Sequence, residues 1–158
     1  MYCALVRPIT EYCTVAWMPF TKKQIDALES IQKQFLLFAL RNLGWSQRFE
    51  LPSYESRLNL LNIDTLENRR VLFSSVFMYK LINGNIDVNS LRDKLNINNS
   101  AYATRNRAHF MQNIHSTNYG MNEPIHRLVK YYNLFNDCLD ECNSFKDLKI
   151  KIRIKLLD

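Results

Sequence analysis

Between Thr21 and Asn42 the chain carries Ile25, Leu28, Ile31, Phe35 and Phe38 in steps of three and four. A seam of that spacing runs along one side of an α-helix and has to be covered, which commits the chain to helix-on-helix packing. Thr21 followed three residues later by Gln24 is a capping pair for the start of this helix. Gly44 offers a left-handed stop at its end, with Trp45 expected to anchor the turn against the core. The segment before it, Tyr2 to Trp17, repeats the pattern with Leu5, Ile9, Tyr12 and Ala16. Pro8 restricts the early part of that segment and Met18-Pro19-Phe20 breaks it. The short break makes the first helix the expected antiparallel partner of the second.

The helical period persists downstream. Pro52 or Ser53 opens a short helix to Leu61, and Asp64 with Glu67 caps a long one carrying Leu66, Phe73, Val76, Phe77 and Ile82. Asn83-Gly84-Asn85 ends it, and a small helix after Asn89-Ser90 uses Leu91 and Leu95. From 96 to 122 Asn, Ser, Thr, Arg and His dominate, which reads as an extended basic crossing with one strand near Phe110 to Ile114. Pro124 then opens a helix whose buried face is Ile125, Leu128, Val129, Tyr132 and Phe135. The last segment, capped by Ser144, fits two periods. Lys149 to Leu156 alternates like a strand, whereas Phe145, Leu148, Ile152 and Leu156 fit a helix. Helix is favoured, because its surroundings are helical and a lone strand has no partner. The expected fold is mainly α: a bundle of about six to seven helices with an extended basic loop segment and at most one short strand. The expected division is a helical pair over 1–50 and a helical region over 51–158.

At 158 residues and 47% apolar composition the chain can bury a domain-sized core. It has no signal-peptide pattern and no apolar run of about 18 residues, so a soluble intracellular chain, nuclear or cytoplasmic and not tied to a membrane, is expected. The net charge of +6 favours polyanions. Residues 100–132 hold four Lys/Arg against one acid, and residues 144–158 hold five against two. These are the denser basic stretches.

Several chemistries lack their residues. Only Gly44, Gly84 and Gly120 are present, far apart, so no nucleotide-cradling loop exists and no cofactor or small-molecule substrate is expected. Cys3, Cys13, Cys138 and Cys142 contain no Cys-x2-Cys pair and no nearby His completes a metal set, so no metal site is expected. Three histidines without a Ser or Cys partner motif do not make a hydrolase. No Asp-Asp pair exists, and Asp140-Glu141 lies in a helix-like stretch, so the paired carboxylates of two-metal phosphoryl transfer are absent.

Two strings are more particular. Leu43-Gly44-Trp45 is followed by Leu51-Pro52-x-Tyr54-Glu55-x-Arg57, and downstream stands His115-x-Thr117-x-Tyr119-Gly120-x-Asn122-x-Pro124. In this order, over about residues 2 to 135, the chain resembles the thumb and post-polymerase region of the reverse transcriptases of insect jockey-like non-LTR (LINE-type) retrotransposons. It departs from the whole enzyme in lacking the aromatic-x-Asp-Asp turn. The resemblance implies a non-catalytic, thumb-like fragment of an RNA-directed DNA polymerase, with residues 1–50 as the thumb pair. Its implied partners are RNA or an RNA–DNA hybrid, bound weakly and electrostatically, and the palm of the parent enzyme.

Phosphate contacts call for Lys and Arg. The thumb-like pair offers Lys22, Lys23, Lys33 and Arg41, although Glu29, four residues before Lys33, is expected to compensate it in part. The stretch Tyr102 to His126 and its flank offer Arg105, Arg107 and Arg127, with His109, His115, Tyr119 and His126 as rings. The C-terminal helix offers Lys149 and Arg153, with Lys146 on the same face. Tyr54 is read as packing, Arg57 as a salt bridge, and Thr117 to Gly120 as a turn with Asn118 or Gly120 at positive φ. The alternatives are a helical protein-interaction module, marked by an exposed apolar face, and a transposon remnant without function.

Overall fold

A computed structural model describes residues 2–44, 52–98, 108–140, 142 and 144–157. Among them are nine α-helices and no strand, so the fold is mainly α. The chain forms two compact units, Met1–Cys13 with Pro19–Arg70, and Thr14–Met18 with Val71–Asp158. The expected division lay at residues 50 and 51; the compact units divide within a helix, after Arg70.

The first unit opens with a π-helical turn, Tyr2–Val6, running into α1, Arg7–Glu11. The helix expected to reach Trp17 stops here. Pro8 sits in the first turn of α1, where its missing N–H is harmless, and it cannot donate back into the turn before it, which widens. Cys13 then takes a left-handed φ of +52° and turns the chain away. The carbonyl of Thr10, left open near the helix end, accepts from Arg70 Nη2 at 3.0 Å. Arg70 is buried, and desolvation pulls its pKa down against the raising fields of Glu29 and Glu11. Arg69 donates to both oxygens of the Glu11 carboxylate, through Nε and Nη2. Tyr2 and Thr10 are buried, so the face expected to be apolar is turned outward: Leu5, Ile9 and Tyr12 are exposed, Ile9 at 77%.

The capping pair and the glycine stop both hold for α2, Lys22–Asn42, where Thr21 Oγ1 accepts from the Gln24 N–H and Gly44 takes φ +87°. Trp45 lies outside the described residues. The buried face is not the expected one. It is Glu29, Gln32, Leu36 and Leu40, while Ile31 and Phe38 are exposed.

Hydrogen bonding explains the choice. Leu66 opens α4, Leu66–Ile82, and its N–H donates to both oxygens of the Glu29 carboxylate at 3.2 Å. Glu29 is thus a cap supplied from another helix, its charge set against the positive end of α4. Tyr54, the first residue of α3, Tyr54–Leu61, donates its hydroxyl to the same carboxylate. Gln32 Nε2 donates to the Asp64 carbonyl at 2.9 Å and to the Tyr54 hydroxyl at 3.2 Å, while Gln32 Oε1 accepts from Tyr2 at 3.0 Å. Burial and the Glu29 charge push the Tyr2 pKa up to about 12, and burial with the Glu29 bond raises that of Tyr54. The side-chain cap of α4 is Thr65, whose Oγ1 accepts from the Asn68 N–H at 3.1 Å, and not the expected Asp64.

In the second unit the remainder of α4 and α7, Pro124–Leu134, share one core through Val76, Met78, Leu81, Leu128 and Val129; Leu91 of α5, Asn89–Arg92, packs against it, and Phe110 meets Tyr132 of α7. Beyond α8, Asn136–Asp140, the ambiguous last segment is a helix, α9, Phe145–Leu157. Leu148 and Ile152, four apart, are fully buried, while Ile150 and Ile154, which a strand pairing would have grouped with Ile152, are exposed. The expected strand near Phe110 to Ile114 shrinks to one antiparallel bridge between Ile97 and Phe110. Its other side is closed by a side chain: Asn133 Oδ1 accepts from the Phe110 N–H at 3.0 Å and Asn133 Nδ2 donates to its carbonyl at 2.8 Å. One amide thereby satisfies both backbone groups that a neighbouring strand would have paired.

Candidate nucleic-acid interface

Lys22 and Lys23 occupy the first two positions of α2, both exposed, and no acid lies in that first turn. Cations there work against the helix dipole, and the open N–H groups and the two ammonium groups add to one positive region. Asp26, one turn on and exposed, tempers it in part. Lys33 does not reach out in the same way. Its ammonium lies 5.1 Å from the centre of the Tyr54 ring, and Glu29, its expected partner, is buried against Tyr54 and Leu66. Arg41 is exposed in the last turn. Lys23 and Arg41, 18 residues apart, fall at the same azimuth, about 27 Å apart along the axis at the helical rise.

The other expected cations divide. Arg105 and Arg107 lie outside the described residues. Arg127 is corrected: it is buried, its Nη2 donates to the carbonyls of Ala16 at 3.3 Å and Val15 at 3.5 Å, and desolvation lowers its pKa. It is a strut inside the second unit and offers no charge to a phosphate. Lys149 and Arg153 are exposed on α9, each following a residue of the buried pair Leu148 and Ile152 and so about 100° round the helix from it, with Lys146 one turn earlier. They belong to the second unit, and the α2 cations to the first.

Both particular strings acquire a local physical role. In the first, Ser53 caps α3 by accepting from the Ser56 N–H at 3.2 Å, and Tyr54 joins the Glu29 network. Arg57 makes no ion pair among the described residues; its guanidinium lies 5.8 Å from the Tyr54 ring centre and donates to the Ser53 carbonyl at 3.3 Å. In the second, Thr117 caps a single helical turn, α6, Asn118–Met121, accepting from the Gly120 N–H at 3.1 Å. Neither Asn118 nor Gly120 has positive φ. Gly120 is required for space: a Cβ there would stand 2.8 Å from His115 Nδ1 and 2.9 Å from its Cβ. Asn122 closes the turn by donating to the Asn118 carbonyl at 2.7 Å, and Pro124 starts α7. His, Thr, Gly, Asn and Pro at those spacings are therefore a folded corner.

The exposed apolar face that would mark the interaction-module alternative was expected without a location; the structure shows outward apolar residues on the first unit. Phe38 is 65% exposed, with Ile31, Leu5 and Ile9 also open, and Tyr2 stacks on Phe35 beneath at 4.0 Å. Periodicity located the stripe on α2 but carried no sign of which stripe would be covered. Among the described residues, no three His, Cys, Asp or Glu side chains are grouped to hold a metal ion. No helix among them is long and apolar enough to cross a membrane. No protein-family model matches the chain, and no curated protein or solved structure matches it.

Proposed function

We propose that the chain is a non-catalytic, thumb-like region of a non-LTR retrotransposon reverse transcriptase, gripping RNA or an RNA–DNA hybrid while the polymerase carboxylates belong to a palm outside it. The observation that carries this reading is the start of α2, where Lys22 and Lys23 stand exposed at the positive helix end without an acid in the turn. Such a placement gives up helix stability and gains a concentrated site for phosphate. Arg41, at the azimuth of Lys23, extends the contact along the helix. The strings from Leu43 to Arg57 and from His115 to Pro124 supply the family resemblance. The experiment is binding of the purified chain to a labelled RNA–DNA hybrid across a salt series. Replacing Lys22 and Lys23 by alanine is expected to weaken binding and to flatten the log K against log salt slope by about one for each lost phosphate contact. An unchanged slope in the folded variant would remove α2 from the interface.

A second reading, a helical protein-interaction module, is favoured by the outward stripe of Ile31 and Phe38 on α2. The two are compatible, since a region that holds nucleic acid on its basic edge can dock on the palm through its apolar one. Concentration-dependent association of the chain in sedimentation, reduced by Phe38→Glu, is the expected sign of that surface.

A further inference from the structure

The second unit contains a cavity of about 280 Å³ between the extended segment and the start of α7. Its wall is formed by His115 and His126, whose rings meet edge to face with centres 5.0 Å apart. Gln112 Nε2 lies 3.4 Å from His126 Nε2, and the other ring nitrogen, Nδ1, is buried without a hydrogen-bond partner. Met111 and Lys94 are exposed at its rim, and Glu123 adds one carboxylate. Desolvation first, then the neighbouring His115 and Lys130, lower the His126 pKa below its ordinary value, so the ring is neutral at pH 7.

These features select among ligands. A volume near the small end of ligand pockets, about 300 Å³, fits one flat ring system with its sugar. Imidazole faces and a thioether suit stacking against a π-system, and side-chain amides suit the hydrogen-bonding edge of a base. The carboxylate of Glu123 repels a phosphate inside the cavity but accepts from an exocyclic amino group. Lys94 at the rim leaves a place for the phosphate outside. The unsatisfied Nδ1 has nothing to gain from an apolar occupant. The seat of His115 is itself built, since only glycine at 120 leaves room for the ring.

Resting on the nucleic-acid reading above, we infer that this cavity takes one unpaired base of a single-stranded RNA, stacked on one ring of the His115–His126 pair and edge-on to the other, with its phosphate at Lys94. It is a base-holding site distinct from the duplex-gripping edge of α2.

The test uses the full chain and three probes: a single-stranded RNA of about ten nucleotides, within the usual span of single-strand sites, the RNA–DNA hybrid, and adenosine monophosphate. The imidazole proton signals of His115 and His126 are followed by NMR. The single strand is expected to shift both rings. His126→Ala and Met111→Ala are each expected to weaken single-strand binding about tenfold, the size of one lost stacked base. Met111 is outside the core, so its variant keeps the test valid if His126→Ala fails to fold. Rings that the single strand leaves unmoved, or a folded Met111→Ala chain that binds it as tightly as the parent, would overturn the base site even with hybrid binding intact. Rings that move with adenosine monophosphate but not with the strand would overturn the strand assignment in favour of a free nucleotide. Loss of hybrid binding alone, with the ring shifts retained, would overturn the α2 interface and leave the base site standing.

Discussion

At the scale of single residues, Glu29 ties three helices of the first unit together. Its carboxylate takes the first N–H of α4 and the hydroxyl of Tyr54. Glu29→Ala leaves both donors buried without an acceptor and is expected to cost about 2 kcal/mol or more. Glu29→Gln keeps the shape, loses the charge at the helix end, and is expected to cost about 1 kcal/mol. Urea melts of the two variants beside the exposed Asp26→Ala, expected within about 0.5 kcal/mol of the parent, check the ranking. His126 gives a pH signature. Its folded pKa lies below the ordinary 6.5 because of burial and then His115, so the unfolded chain binds the proton first. The stability it contributes is complete above pH 6.5 and declines as pH falls through the lowered folded value. Thermal melts between pH 7 and 5 should therefore lose less for a His126→Asn chain than for the parent.

At the scale of elements, α2 has a covered face and an open one. Leu36, on the buried face, is wholly covered, and Phe38, two residues away, is 65% exposed. Leu36→Ala is expected to cost about 2 to 5 kcal/mol, whereas Phe38→Ala is expected within about 0.5 kcal/mol in the isolated chain; denaturant midpoints of the pair decide. The bounds of α2 and α3 and the start of α7 were legible because capping and stop signals are local: Thr21, Ser53, Pro124 and Gly44 act on atoms a few residues away. The buried face of α2 was not legible. Periodicity favoured Leu28, Ile31 and Phe38, while the face that won carries Glu29 and Gln32, chosen by partners more than twenty residues distant: the Tyr54 hydroxyl and the Leu66 N–H donate to Glu29, and the Tyr54 oxygen accepts from Gln32. The same limit applies to Arg127, which stands beside His126, Leu128 and Val129 in the sequence, but whose partners are carbonyls more than a hundred residues earlier. For the site, exposed lysines on α2 and α9 could be read from the pattern. The His115–His126 cavity could not, since Gly120 signals it only once its missing Cβ is set beside a ring.

At the scale of the whole molecule, the net charge of +6 predicts binding to polyanions that weakens steeply with salt, whichever surface makes the contact. The parent chain should lose most of its hybrid affinity between low salt and about 200 mM, read by a filter or anisotropy titration. A chain with Lys149 and Arg153 replaced by alanine tells whether α9 shares that contact, as a reduced slope, or leaves it to α2. The buried Arg127 has a consequence of another kind. It grips Val15 and Ala16, more than a hundred residues earlier, and these belong to the second compact unit. A chain leaving the ribosome makes that stretch more than a hundred residues before the arginine. The first unit has all its parts once Arg70 has emerged, but the loop at 14–18 must wait, its carbonyls wet, until α7 arrives. Completion of the second unit therefore trails that of the first, and a ribosome stalled before residue 127 holds a chain whose loop at 14–18 is still open.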